Sequence, residues 1–207
     1  MKRLITLVAT LALSALVFAQ NAAGGKNLIV YFSVYGNQKS VLTDADSGAS
    51  RKLYKGATVG NTEAVARMIQ EEVGGDLVRI ETSAKFSDDV NKVYDEGKHT
   101  KGTKFKETVT KIDASAYDAV FIGYPIWWGD MPMAMYTFIE SYDWSDKVVI
   151  PFNTHEGSGD AGTYSTIASV LPDAQVLDGM AIQGKTAQEF SSDTQKSVRE
   201  WLDDLGL

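Results

Sequence analysis

The chain has 207 residues, 44% of them hydrophobic and 23% charged, which allows one sizeable domain with a full core and argues against a disordered chain. It carries no cysteine, so neither a disulfide scaffold, a lipid-modified start nor a cysteine nucleophile is available. The formal net charge of −7 argues against nucleic acid and anionic membrane surfaces as partners and favours proteins with basic docking surfaces.

At the N-terminus Lys2 and Arg3 precede an apolar run from Leu4 to Phe18, with Val17 and Ala19 placed like the small residues of a cleavage site. The run is shorter than the ~20 residues that span a bilayer. Residues 1–20 are therefore read as a secretory signal peptide. The expected product is extracytoplasmic, periplasmic or secreted, with no membrane span after cleavage.

A Gly-rich link leads to the apolar run Asn27 to Ser33, the pattern of a strand buried on both faces. Two Gly-Asn pairs follow. After Gly36-Asn37 the residues Asp44, Asp46, Ser47 and Gly48 break any helical period, and turn chemistry reads this pair as a turn. After Gly60-Asn61 the residues Ala64, Val65, Met68, Ile69 and Val73 lie on one helical face, with Asn61 or Thr62 placed to cap it. A phosphate loop must run directly into a helix whose N–H groups point at the anion. The expectation is one split loop, with Ser33 at the strand end, Gly60, Asn61 and Thr62 at the helix start, and residues 34–59 inserted between. Within the insertion, Asp44 to Gly48 imitates a calcium loop but has Lys55 where a bidentate Glu is needed, so no metal site is expected.

Further strands are expected at Asp76 to Glu81, Tyr117 to Tyr124, Lys147 to Phe152 and Ala174 to Leu177, and helices at Thr62 to Val73, Pro132 to Ser141, Ala161 to Leu171 and Ser192 to Leu205. The polar stretch Ser83 to Asp113 reads as a solvated helix and connection, and His99 within it has no role. Alternating strands and helices imply a parallel sheet covered on both faces, with ligands beyond the carboxyl ends of the strands.

Two of those ends carry distinctive loops. The segment YPIWWGD, Tyr124 to Asp130, places Trp127 and Trp128 between Pro125 and Gly129, either as a packed aromatic corner or as a platform for a flat ligand, with Asp130 read as the next N-cap. Met131, Met133 and Met135 read as core packing. The segment THEGSG, Thr154 to Gly159, has small residues that let backbone amides approach a ligand. His155 reads as a surface residue or as a partner of the ligand edge.

The combination of YFS with GNTEAVA, GYPIWWG, FIESYDWSDKVVIPF and THEGSG resembles the flavodoxin-like family over about residues 27–207. The resemblance implies an α/β fold: a three-layer sandwich with a five-stranded parallel sheet of order 2-1-3-4-5 and helices on both faces, for which flavodoxin is the standing example. It also implies FMN. Ser33, Gly60, Asn61 and Thr62 would hold the phosphate, Pro125, Ile126, Trp127, Trp128 and Gly129 would flank the ring, and Thr154, His155, Glu156, Gly157, Ser158 and Gly159 would meet its pyrimidine edge. No catalytic acid or base is required, because the flavin exchanges electrons and the protein sets its potential, which acidic surroundings lower. The expected function is electron transfer between redox protein partners. The alternatives are a flavin-dependent nicotinamide:quinone oxidoreductase, and a module that kept the fold without the flavin.

Overall fold

The computed structural model describes residues 25–37, 51–89, 91–93, 95, 108, 110–189 and 192–207. The signal-peptide reading, the Asp44 to Gly48 turn, His99 and much of the polar stretch lie outside them. The strands are β1 (Asn27–Phe32), β2 (Arg51–Tyr54), β3 (Ala57–Gly60), β4 (Asp76–Ile80), β5 (Ala119–Pro125), β6 (Val148–His155), β7 (Gln175–Val176) and β8 (Met180–Gln183). The helices are α1 (Asn61–Val73), α2 (Met133–Ile139), α3 (Thr163–Val170), α4 (Gly184–Glu189) and α5 (Ser192–Leu205).

The main sheet runs β4-β1-β5-β6-β7, all parallel, with β8 also on β6. Numbered along the chain, that is the expected order 2-1-3-4-5, with the fifth place shared by two short strands. Alternation of side chains divides the core. Leu28, Val30, Phe32, Val120, Ile122 and Tyr124 face the layer that holds Ala134, Met135, Phe138 and Ile167 of α2 and α3. Ile29, Tyr31, Phe121, Ile150 and Phe152 face the layer that holds Val65, Met68, Ile69, Val198 and Leu202 of α1 and α5.

The divided fifth strand has a cause in Pro151. Val149 pairs with Val176, but Phe152 pairs with Met180 rather than Gly179, so the edge carries one extra residue between β7 and β8. Leu177 N–H donates to Val149 C=O (2.9 Å), which shows that odd-numbered residues of β6 turn their polar groups to this edge. Pro151 is the next such residue and has no N–H to offer the ladder. The bulge stands opposite the missing donor.

Periodicity did not reveal the antiparallel hairpin of β2 and β3, β8, or α4. The hairpin's turn is Lys55-Gly56, with φ of 46° and 86°, and β3 runs straight into α1. Tyr54 and Val59 bury against the α1 layer. The end of the inserted stretch thus rejoins the fold as a hairpin that leads directly into α1.

Candidate functional site

Most of the buried polar residues described gather at the carboxyl ends of the sheet: Ser33, Asn37, Thr62, Glu63, Thr82, Asn153, Thr154 and Thr163 lie there, while Asn27 starts β1 and Thr194 sits in α5. A buried polar side chain is tolerated only where it is bonded or awaits a partner, so this edge is where the fold spends its polarity.

Asn37 is fully used by the fold. Its Nδ2 donates to the carbonyls of Ser33 (2.9 Å) and Ile80 (2.8 Å), its Oδ1 accepts from Thr82 N–H (2.9 Å), and its own N–H closes a turn on Val34 C=O (2.8 Å). The first Gly-Asn pair is a stitch between β1 and β4. The second pair opens α1, with a correction: Gly60, in extended conformation, is the N-cap, and neither Asn61 nor Thr62 is. No side chain caps the helix, which leaves its first N–H groups to other acceptors.

Gly60 lies so close to the end of β1 that a Cβ there would stand 2.4 Å from Ser33 Oγ. Thr62 Oγ1 and Thr154 Oγ1 are 2.9 Å apart and share one hydrogen bond, leaving the second hydroxyl proton for a ligand. The Oδ1 atom of Asn61 is buried with no hydrogen-bond partner among the described residues. Ser33, Gly60, Asn61 and Thr62 therefore meet in space, and Thr154 of β6 joins them. Glu63, buried in the first turn of α1, is turned into the fold by Arg67 (2.7 Å) and Arg79 (4.0 Å). Burial, and then Glu63, pushes the Tyr31 hydroxyl above its ordinary range.

The Trp pair divides. Ile126 N–H donates to Thr154 C=O (2.8 Å), and Trp127 and Asp130 exchange both backbone bonds (2.8 and 3.0 Å) around a tight turn. Trp128 and Gly129 fill it with φ of 52° and 75°, the left-handed pair of a type I′ turn, a conformation glycine accepts freely and tryptophan does not. Trp127, half-buried, packs edge-on against Phe32 (5.7 Å) and Phe86 (5.6 Å) at the margin of the core. Trp128 stands at the tip, 51% exposed. Asp130 is not an N-cap: its Oδ1 accepts from Met131 N–H and Tyr136 O–H (both 2.7 Å), and Pro132 caps α2.

The third loop hangs on residues that the sequence reading passed over. Asn153 Nδ2 donates to Gly159 C=O (3.0 Å), Tyr164 O–H donates to Asn153 Oδ1, and Tyr124 O–H donates to Thr163 Oγ1 (2.8 Å), which donates to Asp160 C=O (2.6 Å). Burial raises the hydroxyls of Tyr124 and Tyr164 above their ordinary range, so both stay donors. A polar Asn directly after an apolar strand run was the available clue. His155 Nδ1 accepts from Gly157 N–H (2.9 Å), which fixes the turn and occupies that nitrogen. Gly157 and Ser158 are exposed, Gly159 half-buried. Glu156 reaches Gly184 at the end of β8.

Among the described residues no group of three His, Asp or Glu side chains is arranged to hold a metal ion, and no helix is long and apolar enough to cross a membrane. The arrangement is instead a set of neutral donors at a helix start, an aromatic turn beside it, and a loop of small residues opposite. That set suits an anionic group with a flat body attached.

Comparison with known proteins gives the same picture. The family model described as flavodoxin matches residues 53–205. A flavodoxin of Haemophilus influenzae is 30% identical over 117 residues, covering 55% of this chain and 52% of that protein. The chain thus spans about half the length of the curated relatives it matches. Among solved structures, a protein of Bacteroides eggerthii superimposes with a TM-score of 0.63 at 24% identity, covering 88% of this chain and 99% of that one. A flavoprotein of Lactobacillus acidophilus in complex with FMN gives a TM-score of 0.56 at 22% identity, covering 78% and 94%. At these identities the structural likeness speaks for the fold.

Proposed function

This chain belongs to the flavodoxin family, and from that premise we propose that it holds FMN at the ends of β1, β5 and β6 and carries electrons between redox proteins. The observation that carries the reading is the meeting of Ser33, Gly60, Asn61, Thr62 and Thr154 at an uncapped helix start. These residues fit the cofactor. The donor set is neutral, and the closeness of Gly60 to Ser33 leaves no room for a side chain on the loop itself.

FMN, when bound, supplies a group that accepts and releases electrons. The chain's own residues bind and orient it. The N–H groups of α1 and the hydroxyls of Ser33, Thr62 and Thr154 suit the phosphate. Trp128, on its rigid turn, suits one face of the ring. The Asn153 and Tyr164 bonds hold the loop from Thr154 to Gly159 in the shape that its amides require. The chain's excess of acidic side chains favours basic partners and a low flavin potential.

The test is a fluorescence-quenching titration of the full chain with FMN, then mixing the photoreduced protein with a basic haem protein. Binding followed by rapid oxidation of the bound flavin, with no steady consumption of NADH in the presence of a quinone, is the expected result. Sustained NADH-dependent quinone reduction would make the chain an enzyme instead. Export is part of the same proposal and is supported by Lys2, Arg3 and the apolar run to Phe18. Recovery of a chain that keeps Met1 in the cytoplasmic fraction would refute that part.

A further inference from the structure

Glu63 is the third residue of α1, counted from the N-cap at Gly60, and in that place a Glu commonly bends back to the N-cap N–H and closes a capping box. Here it does not. Its Oε1 accepts from Arg67, one turn further along the helix, through Nε (3.0 Å) and Nη2 (2.7 Å), and its Oε2 lies 4.0 Å from Arg79 Nη1 on β4. The Glu63 side chain is 5% exposed, against 38% for Arg67 and 32% for Arg79, so the carboxylate is held inside with the two cations at its open side.

Gly36 makes room for the second cation. A Cβ there would stand 2.3 Å from Arg79 Nη1 and 2.6 Å from its Cζ, so the first Gly-Asn pair carries glycine where the guanidinium lies against the loop after β1. Arg79 is shared with Glu81 (3.8 Å), and the hold on Glu63 falls mainly to Arg67. A carboxylate at a helix start is stabilised by the same N–H groups that suit a phosphate, so an unheld Glu63 would be the nearest rival of an incoming anion. Two charge-assisted bonds from one guanidinium outweigh a single bond to a backbone N–H.

We propose that Arg67 is a positioning residue of the phosphate site: by holding the Glu63 carboxylate inside the fold, with Arg79 behind it, it keeps the first N–H groups of α1 available to the phosphate. The inference rests on the FMN reading above and adds to it residues that act through the helix start. Riboflavin carries no phosphate, makes no use of those N–H groups, and is indifferent to the hold.

Arg67→Met removes both bonds and keeps an apolar stem of similar reach. Full-length wild type, Arg67→Met and the double variant Glu63→Met/Arg67→Met are titrated with FMN and with riboflavin, and melting midpoints are recorded with and without inorganic phosphate. Arg67→Met is expected to bind FMN about tenfold more weakly and riboflavin within about twofold of wild type, and to gain less in melting midpoint from phosphate. The double variant should return FMN affinity to within about twofold of wild type, because the rival carboxylate is gone. A merely structural role would produce neither the split between the flavins nor the rescue. Equal losses for both flavins, no loss for FMN, or a loss that persists in the double variant overturns the proposal while leaving FMN binding intact. Should Arg67→Met fail to fold, Arg67→Lys takes its place, with an expected loss of about threefold for FMN that Glu63→Met again restores. If wild type binds neither flavin, the FMN reading fails, and the phosphate-dependent shift decides on Arg67: a smaller shift that the double variant regains supports it, and equal shifts or none overturn it.

Discussion

Trp144 and Trp128 both lie in connections that mix aromatic, acidic and small residues, yet one is 3% exposed and the other 51%. Trp144 packs against Phe138 (6.2 Å) and Tyr142 (5.7 Å), and its indole N–H donates to Ile139 C=O (2.6 Å). Every part of it is answered by the fold. Trp128 is held out by the backbone, on a left-handed turn that Trp127, Asp130 and Gly129 close beneath it. The difference shows that an aromatic residue in such a segment becomes core or exposed surface according to the turn that carries it. Trp127, next door and half-buried against the core, shows how one residue's shift changes the outcome.

The comparison is broken if the two residues fail to separate stability from binding. Trp144→Ala should lower stability by about 4 kcal/mol, read as a shift in urea midpoint, while the molecules that remain folded bind FMN with unchanged affinity. Tyr164→Phe removes the donor to Asn153 Oδ1 and should cost about 1.5 kcal/mol, with weaker FMN binding because the third loop loses its anchor. Trp128→Ala should leave stability within about 0.5 kcal/mol and weaken FMN binding by about tenfold, or about 1.4 kcal/mol, in a quenching titration. Equal losses of stability for the two Trp variants would refute the distinction.

The smallest effect sharpens the contrast by acting on neither corner. Arg199 grips Glu72 through two bonds (3.0 and 2.8 Å) and joins α5 to α1, and these bonds hold the Glu72 carboxyl below its ordinary range. A depressed carboxyl contributes stability that is present above its unfolded value of 4.5 and is lost as the pH falls through the folded value. Arg199→Leu should therefore flatten the acid limb of the stability profile slightly and leave FMN affinity untouched. The Tyr124 and Tyr164 hydroxyls work in the opposite direction. Their folded values lie above the ordinary 10.0, so their contribution is whole below that pH and fades in alkali.

Much of this was legible because the buried strands are continuous apolar runs and the helix after Gly60 has a clean face. The sheet order followed from the resemblance and from the rules of parallel connection. The hairpin was not legible, since Lys55-Gly56 joins two short strands of mixed composition in which Tyr54 and Val59 are the large hydrophobics described as buried. The division of the Trp pair was hidden for another reason: Trp128 occupies a backbone state that its own chemistry disfavours, and only Gly129 hinted at the turn. Asn153 escaped notice because its importance lies in what stands across from it.

Pro151 has a consequence beyond its own strand. An unbroken fifth strand would have offered a continuous row of free N–H and C=O groups along the outer edge of the sheet, a template on which a second molecule's strand could settle. The missing donor instead leaves that edge as pieces of two and four residues, out of step by one. Too few consecutive groups face outward in one register for a passing strand to zip along them. The same proline that shapes the inside of the sheet keeps its rim from growing.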